Sequence, residues 1–250
     1  MKLELERRHE VSLRRQRALG YAIGAAFFWP LVVAWMRYWR GYRIRDLGEM
    51  RRRTHKILAE ARGPLLICPN HLTWIDSLVV QWALTSPGQV LRSYRLFAWN
   101  VPEWTNFYTK FWLRLGCYLG KCVPIVRGGD RAEQKLALEK LSYVLRQGEL
   151  VMMFPEGSRS RTGRIDLENL AHGVGRMVKE VGNCRVLCVY VRGDRQDQRS
   201  VLPPAGQMFS VDMELMEPMS EKKGLRATRE IILQIAHKLA DMEERYFARR

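Results

Sequence analysis

The stretch PNHLTWIDS, Pro69 to Ser77, sets a histidine and an aspartate five positions apart, directly after the apolar run Leu65-Leu66-Ile67-Cys68. A carboxylate bonded to one imidazole nitrogen fixes the tautomer of the ring and leaves the other nitrogen free to take a proton, which is how a general base is oriented. Five residues of regular α-helix rotate a side chain by about 500°, roughly 140° off the starting face, so a continuous helix keeps His71 and Asp76 apart. They meet only if His71 lies in a loop and Asp76 in the helix that follows. Spacing alone leaves a second reading standing, a loop histidine bonded to a helix-capping region.

A second constellation is VMMFPEGSRSRTG, Val151 to Gly163, where an apolar strand runs into Phe154-Pro155 and then an acid, a glycine, hydroxyls and arginines. Glycine allows a ligand close to the backbone, and Arg159 and Arg161 with Ser158 and Ser160 suit phosphate oxygens. A basic surface loop is the alternative. Against it stands Glu156, since an acid at the end of a buried strand is destabilising unless it orients something.

Both segments need a scaffold. Strand candidates are Leu65 to Cys68, Val90 to Leu96, Cys122 to Val126, Leu150 to Phe154, Val186 to Val191 and Ser210 to Met216. Helix candidates are Arg45 to Ala61, Ser77 to Leu84, Glu103 to Leu115, Asp130 to Gln147, Leu167 to Val181 and Arg226 to Tyr246. Strands alternating with helices predict an α/β fold with a largely parallel central sheet flanked by helices, and no internal repeat divides it. Sites in such sheets lie beyond the carboxyl ends of the strands, where both constellations fall. Along Pro102 to Leu115 the aromatics Trp104, Phe107, Tyr108, Phe111 and Trp112 form a helical stripe, expected to pack in the core; the wall of a ligand pocket or a membrane contact is the alternative. The helix from Arg226 to Arg250 is expected to serve packing only.

Ala18 to Met36 is uncharged and bounded by Arg14, Arg15 and Arg17 before and Arg37 and Arg40 after. Nineteen residues could just span a bilayer, which takes about 20. Pro30 should break the run into two short arms, a membrane-associating helical hairpin that dips into one leaflet; a span and a buried core helix remain open. The expected division is residues 1–41 as this N-terminal segment and 42–250 as one catalytic domain. The 42 Lys and Arg exceed the 26 Asp and Glu by +16, which favours nucleic acid, an anionic membrane or phosphorylated small molecules as partners. No zinc, RNP or helix-turn-helix pattern supports nucleic acid. The five cysteines, Cys68, Cys117, Cys122, Cys184 and Cys188, lack ligand or disulfide spacing and are expected to be reduced thiols, with no metal bound.

Taken together, N-H-x-x-x-x-D (Asn70, His71, Asp76) and, about eighty residues on, F-P-E-G-S-R-S (Phe154 to Ser160) resemble the glycerolipid acyltransferases, the family that includes lysophosphatidic acid (1-acylglycerol-3-phosphate) acyltransferases. GKCVPIVR, Gly120 to Arg127, is similar to that family's intermediate motif. The resemblance implies acyl transfer from acyl-CoA or acyl carrier protein to a lysophospholipid hydroxyl, without a further cofactor or a covalent acyl-enzyme. It implies His71 as general base, Asp76 as the residue that orients it, and Asn70, Arg127, Glu156, Gly157, Ser158 and Arg159 as substrate-binding residues. It also implies a membrane-associated enzyme on the cytoplasmic face, the inner membrane if bacterial. The chain departs from the family where a lysine commonly follows F-P-E-G, reading Asn169-Leu170-Ala171-His172-Gly173, and in a late strand without the usual proline. A different acceptor, or a non-catalytic lipid-binding member of the fold, are the alternatives.

Overall fold

Residues 5–60 and 63–249 are described by a computed structural model. Along the chain come α1 (Arg7–Trp39), β1 (Arg43–Ile44), α2 (Leu47–Glu60), β2 (Leu65–Pro69), α3 (Asp76–Leu84), α4 (Pro87–Arg92), β3 (Trp99–Asn100), α5 (Trp104–Phe107), α6 (Phe111–Leu119), α7 (Arg131–Arg146), β4 (Val151–Met152), α8 (His172–Val181), β5 (Arg185–Gly193), β6 (Met208–Met216) and α9 (Gly224–Ala248). The strands form one sheet in the order β1-β6-β5-β2-β4-β3, parallel throughout except between β5 and β6. This is the α/β class that the alternation predicts.

Strand β2 lies at the centre, with Leu66 opposite Val186 on one side and Val151 on the other. All five of its residues are buried. Leu65 and Ile67 enter the apolar core on one face of the sheet, Leu66 and Cys68 the core on the other. A strand covered on both faces reads as an unbroken apolar run, and its chain can leave only over the sheet edge. PNHLTWIDS emerges there.

The element boundaries correct several expectations. Val90 to Leu96 is not a strand: Ser86 caps α4 in a reciprocal bond pair with Gln89, Pro87 sits in the first turn, and a single 3₁₀ turn, Tyr94–Leu96, follows. A capping box outweighs a short apolar run that has no strand to pair with. Cys122 to Val126 is extended but makes only isolated bridges, Asn100 with Cys122 and Glu103 with Ile125, since Pro124 removes a ladder donor between them. The expected helix from Glu103 to Leu115 is split into α5 and α6, and that from Leu167 begins at His172. Ala61, the expected end of the first polar helix, lies outside the described residues.

Pro30 does not divide the N-terminal segment. Residues 7–39 form one helix, so the hairpin is replaced by a single rod. Widened turns run from Gly20 to Phe28, before the proline, and again from Trp35 to Trp39, with Trp29 N–H reaching the carbonyl of Gly24. A five-residue turn shifts the carbonyl that the proline ring would strike and absorbs its missing N–H. One face of α1 is fastened to the domain: a Cβ on Gly20 would stand 2.3 Å from Tyr94 Oη, and one on Gly24 2.6 Å from Leu119 O. Gln16 Nε2 donates to the carbonyls of Tyr118 and Cys122, at 3.1 and 3.0 Å.

Beneath α1 lies a buried charge cluster. Lys121, fully buried, donates through Nζ to Glu149 Oε2 at 2.6 Å and to the carbonyls of Tyr94 and Phe97 at 2.7 and 2.9 Å. Trp99 Nε1 also donates to Glu149 Oε2, and Arg17 of α1 meets Oε1 at 2.8 Å. Burial lowers the Lys121 ammonium to about 8. Removing one partner of such a pair strands the other. Glu149→Ala should therefore cost about 3–5 kcal/mol, measured as a lowered urea midpoint, whereas truncating the exposed Lys56–Glu60 pair should change stability by less than about 1 kcal/mol.

Candidate active site

Asp76 is the first residue of α3, and its buried carboxylate is the hub of the preceding turn. Oδ2 accepts from the amides of Leu72 and Thr73, at 2.5 and 2.7 Å, and Oδ1 accepts from Thr73 Oγ1 at 2.5 Å. The same Oδ2 lies 3.1 Å from His71 Nδ1. Since a carboxylate offers no proton, Nδ1–H is the donor and Nε2 keeps its lone pair. The ring stacks on Phe154 at a centroid distance of 4.1 Å and stays 14% exposed. His71 lies in the loop and Asp76 in the helix, the geometry under which the five-residue spacing joins them.

Glu156 connects the two constellations. Its Oε1 accepts the His71 amide at 2.9 Å, while Oε2 is buried without a hydrogen-bond partner. Burial pushes its carboxyl up to about 8, against a smaller downward pull from the His71 amide. Ser160 N–H donates to the His71 carbonyl at 2.9 Å, so the FPEGSRS segment clasps the histidine backbone through Glu156 and Ser160. Gly157 has φ +63°, and a Cβ there would come within 2.8 Å of Ala171 Cβ. Only glycine fits that turn. Ser158 is exposed beside it.

The remaining candidates sort by their partners. Asn70 is buried, and its amide donates to Val191 O at 3.1 Å and accepts from Val191 N–H at 2.7 Å, extending the β2–β5 ladder past the end of the strand. That places it as a brace under the loop. Arg127 Nε meets Glu103 Oε2 at 3.1 Å and leaves its side chain half exposed. Arg159 Nη1 donates to Ser200 O at 3.0 Å, with its guanidinium 5.5 Å from the centre of the Trp74 ring. Burial, then the charge of Arg199, lowers its pKa, with Asp76 pulling the other way.

A family model described as Acyltransferase matches residues 43–219, more than two thirds of the chain. The chain belongs to the acyltransferase family. No curated protein matches it.

Several residues around this candidate site escaped the motifs. Thr73, whose side chain and amide both serve Asp76, lies inside PNHLTWIDS but carries no charge that would single it out. Ser200, whose carbonyl accepts from Arg159, sits in a polar loop more than 120 residues from His71, with no local signal. The C-terminal helix corrects another expectation: besides packing, buried Glu243 of α9 accepts the Ile165 amide at 3.1 Å and faces Arg192 at 3.5 Å.

The raised carboxyl of Glu156 has a pH consequence. Its ordinary value is 4.5, so between there and about 8 the folded protein holds a proton that the unfolded chain releases. The stability this supplies is complete below the lower value and is lost as pH rises through the upper one. Urea midpoints of the wild-type enzyme should fall from about pH 5 to about pH 9 more steeply than those of Glu156→Gln, which keeps the acceptor for His71 N–H and cannot ionise.

Proposed function

We propose that this acyltransferase moves a fatty acyl chain from a thioester, acyl-CoA or acyl carrier protein, to a hydroxyl of a lysophospholipid, with 1-acylglycerol-3-phosphate as acceptor and phosphatidic acid as product. The observation that carries the reading is the 3.1 Å contact of His71 Nδ1 with Asp76, which leaves Nε2 as the basic atom. His71 Nε2 takes the proton of the acceptor hydroxyl while its oxygen attacks the thioester carbonyl. Collapse of the tetrahedral species breaks the C–S bond, and the departing thiolate receives the proton from the imidazolium. No acyl-enzyme intervenes. Burial raises the thiols of Cys68, Cys184 and Cys188, the last two to about 12, which suits packing and opposes nucleophilic attack. Arg127 and Arg159 would hold the acceptor's phosphate, while Glu156 and Gly157 shape the turn beside it. An acceptor other than 1-acylglycerol-3-phosphate is the second reading, favoured by the missing lysine between Asn169 and Gly173.

A membrane site fits the surface. The face of α1 opposite the domain exposes Ile23, Phe27, Leu31, Tyr38 and Trp39, and α6 adds Phe111 and Trp112, 75% and 65% exposed, beside it. That exposure overturns core packing for the α6 part of the aromatic stripe. Since its other face is fastened along the domain, α1 is best read as lying in the interface with one leaflet instead of crossing the bilayer. The cytoplasmic leaflet, with its anionic lipid, suits the surplus of +16.

His71→Ala should lower acyl transfer by about 10²–10⁴-fold while the protein stays folded. Mass spectrometry of lipids from hosts expressing each form names acceptor and chain together; equal product from the variant would refute His71 as the base. The double variant Phe27→Asp/Leu31→Asp should lose binding to anionic vesicles in a flotation assay and retain its urea midpoint.

A further inference from the structure

Between β5 and β6 a strap of chain, residues 194–206, is tied at one point to the loop of His71 and at another to the end of α1. Ser200 N–H donates to Leu72 O at 3.1 Å and Trp74 N–H donates to Val201 O at 3.2 Å, so residues 200 and 201 lie against the histidine loop. Two residues on, the carbonyl of Pro203 accepts from Arg40 Nη2 and from Tyr42 Oη, both at 2.8 Å. Gly206 N–H donates to Arg40 O at 2.7 Å, and a Cβ on Gly41 would stand 3.4 Å from Gly206 Cα, so backbone packs on backbone there. Arg195 Nη2 closes the strap on itself through Ala205 O at 2.6 Å.

The composition of the strap changes at these contacts. Asp194 to Ser200 is wholly polar, whereas Val201-Leu202-Pro203-Pro204-Ala205 carries no polar side chain. Pro203 is buried against α1, but Val201 and Leu202 are 51% and 38% exposed, and Pro204 and Ala205 are exposed beside them. Single apolar residues on a surface are ordinary. These adjoin a larger apolar face, since the exposed side of α1 ends at Tyr38 and Trp39, directly before Arg40. The two apolar surfaces meet at the Arg40–Pro203 contact. Exposed Arg37, Arg43, Arg195 and Arg199 flank them along the chain, against one exposed acid on the strap, Asp197. Apolar and aromatic residues bordered by arginines are the composition of a segment that lies in a bilayer interface.

We propose that Val201 and Leu202, at the tip of the strap, form a second lipid contact that enters the same leaflet as α1 and sets the His71 loop against the bilayer surface. This rests on the membrane reading of α1 and adds to it: the helix anchors the enzyme, whereas the strap fixes which part of the domain meets the lipid. A lysophospholipid acceptor then reaches the histidine loop without leaving the surface. Val201→Ser/Leu202→Ser removes apolar area and adds no charge. On vesicles of phosphatidylethanolamine and phosphatidylglycerol it should need about tenfold more lipid than wild type for half-maximal flotation, with an unchanged urea midpoint. Met219→Ser/Leu225→Ser replaces two more exposed residues beyond the carboxyl end of β6, which runs antiparallel to β5 and so ends away from the histidine loop; it should float as wild type does. In turnover, the strap variant should lose about tenfold in kcat/KM for acceptor embedded in vesicles, and less than about twofold for a short-chain acceptor dissolved as monomer. Equal flotation of strap variant and wild type overturns the contact even where Phe27→Asp/Leu31→Asp abolishes binding, an outcome that keeps the membrane reading of α1. An equal loss in Met219→Ser/Leu225→Ser overturns it too, as does a turnover loss confined to an acyl carrier protein donor, which makes the tip a protein-docking site. Wild-type protein that does not float removes the α1 reading and the strap contact together. A flotation shift without any acyl transfer keeps the contact and removes the acyl-transfer reading.

Discussion

One carboxylate organises the centre of this molecule. Asp76 begins α3 with its charge buried, and it is tolerated there because two amides, one hydroxyl and an imidazole N–H all point at it. Acceptance of several hydrogen bonds is what stabilises an ionised acid away from water. The same bonds dictate the turn that carries His71. A single group therefore fixes both the backbone of the loop and the tautomer of its histidine, and the placement of Phe154 and Glu156 follows from it.

Around that hub the site is assembled from segments that are far apart in the chain and tied by backbone hydrogen bonds. Glu156 and Ser160 reach the main chain of His71, Asn70 braces it to β5, and Ser200 closes it from the other side. Such bonds fix the positions of the groups they join, and the arginines at the rim are held too, Arg159 on Ser200 O and Arg127 on Glu103. Glu243 and Arg192 continue the scheme into the interior and make the last helix part of the loop scaffold.

The N-terminal helix depends on a different constraint. Gly20 and Gly24 let the carbonyl of Leu119 and the hydroxyl of Tyr94 approach its axis, and Gln16 and Arg17 supply polar anchors at one end. Its exposed side is left apolar and merges with α6. The rod thus turns small and polar residues toward the domain and an apolar face away from it, the face on which the proposed membrane docking rests.

By itself the sequence determined the class of fold, from period and alternation, and the condition under which His71 meets Asp76, a loop-to-helix step; spacing alone left open whether the two constellations are chemistry or capped and basic loops. Glycine at 157 was read as room for a ligand, whereas the structure gives it a left-handed turn packed against Ala171. Legibility failed where neighbours decide. Val90 to Leu96 has the composition of a strand but no free sheet edge, and Pro30 breaks an ordinary helix but not one with widened turns. Whether Phe111 and Trp112 face a core or solvent depends on what packs beside them. Only the tertiary structure decided that Asn70 braces the sheet, that Glu156 holds the histidine's own amide, and that Glu243 ties the last helix to the loop at Ile165. Those contacts join residues 78 to 121 positions apart, and no local pattern encodes a partner at that separation.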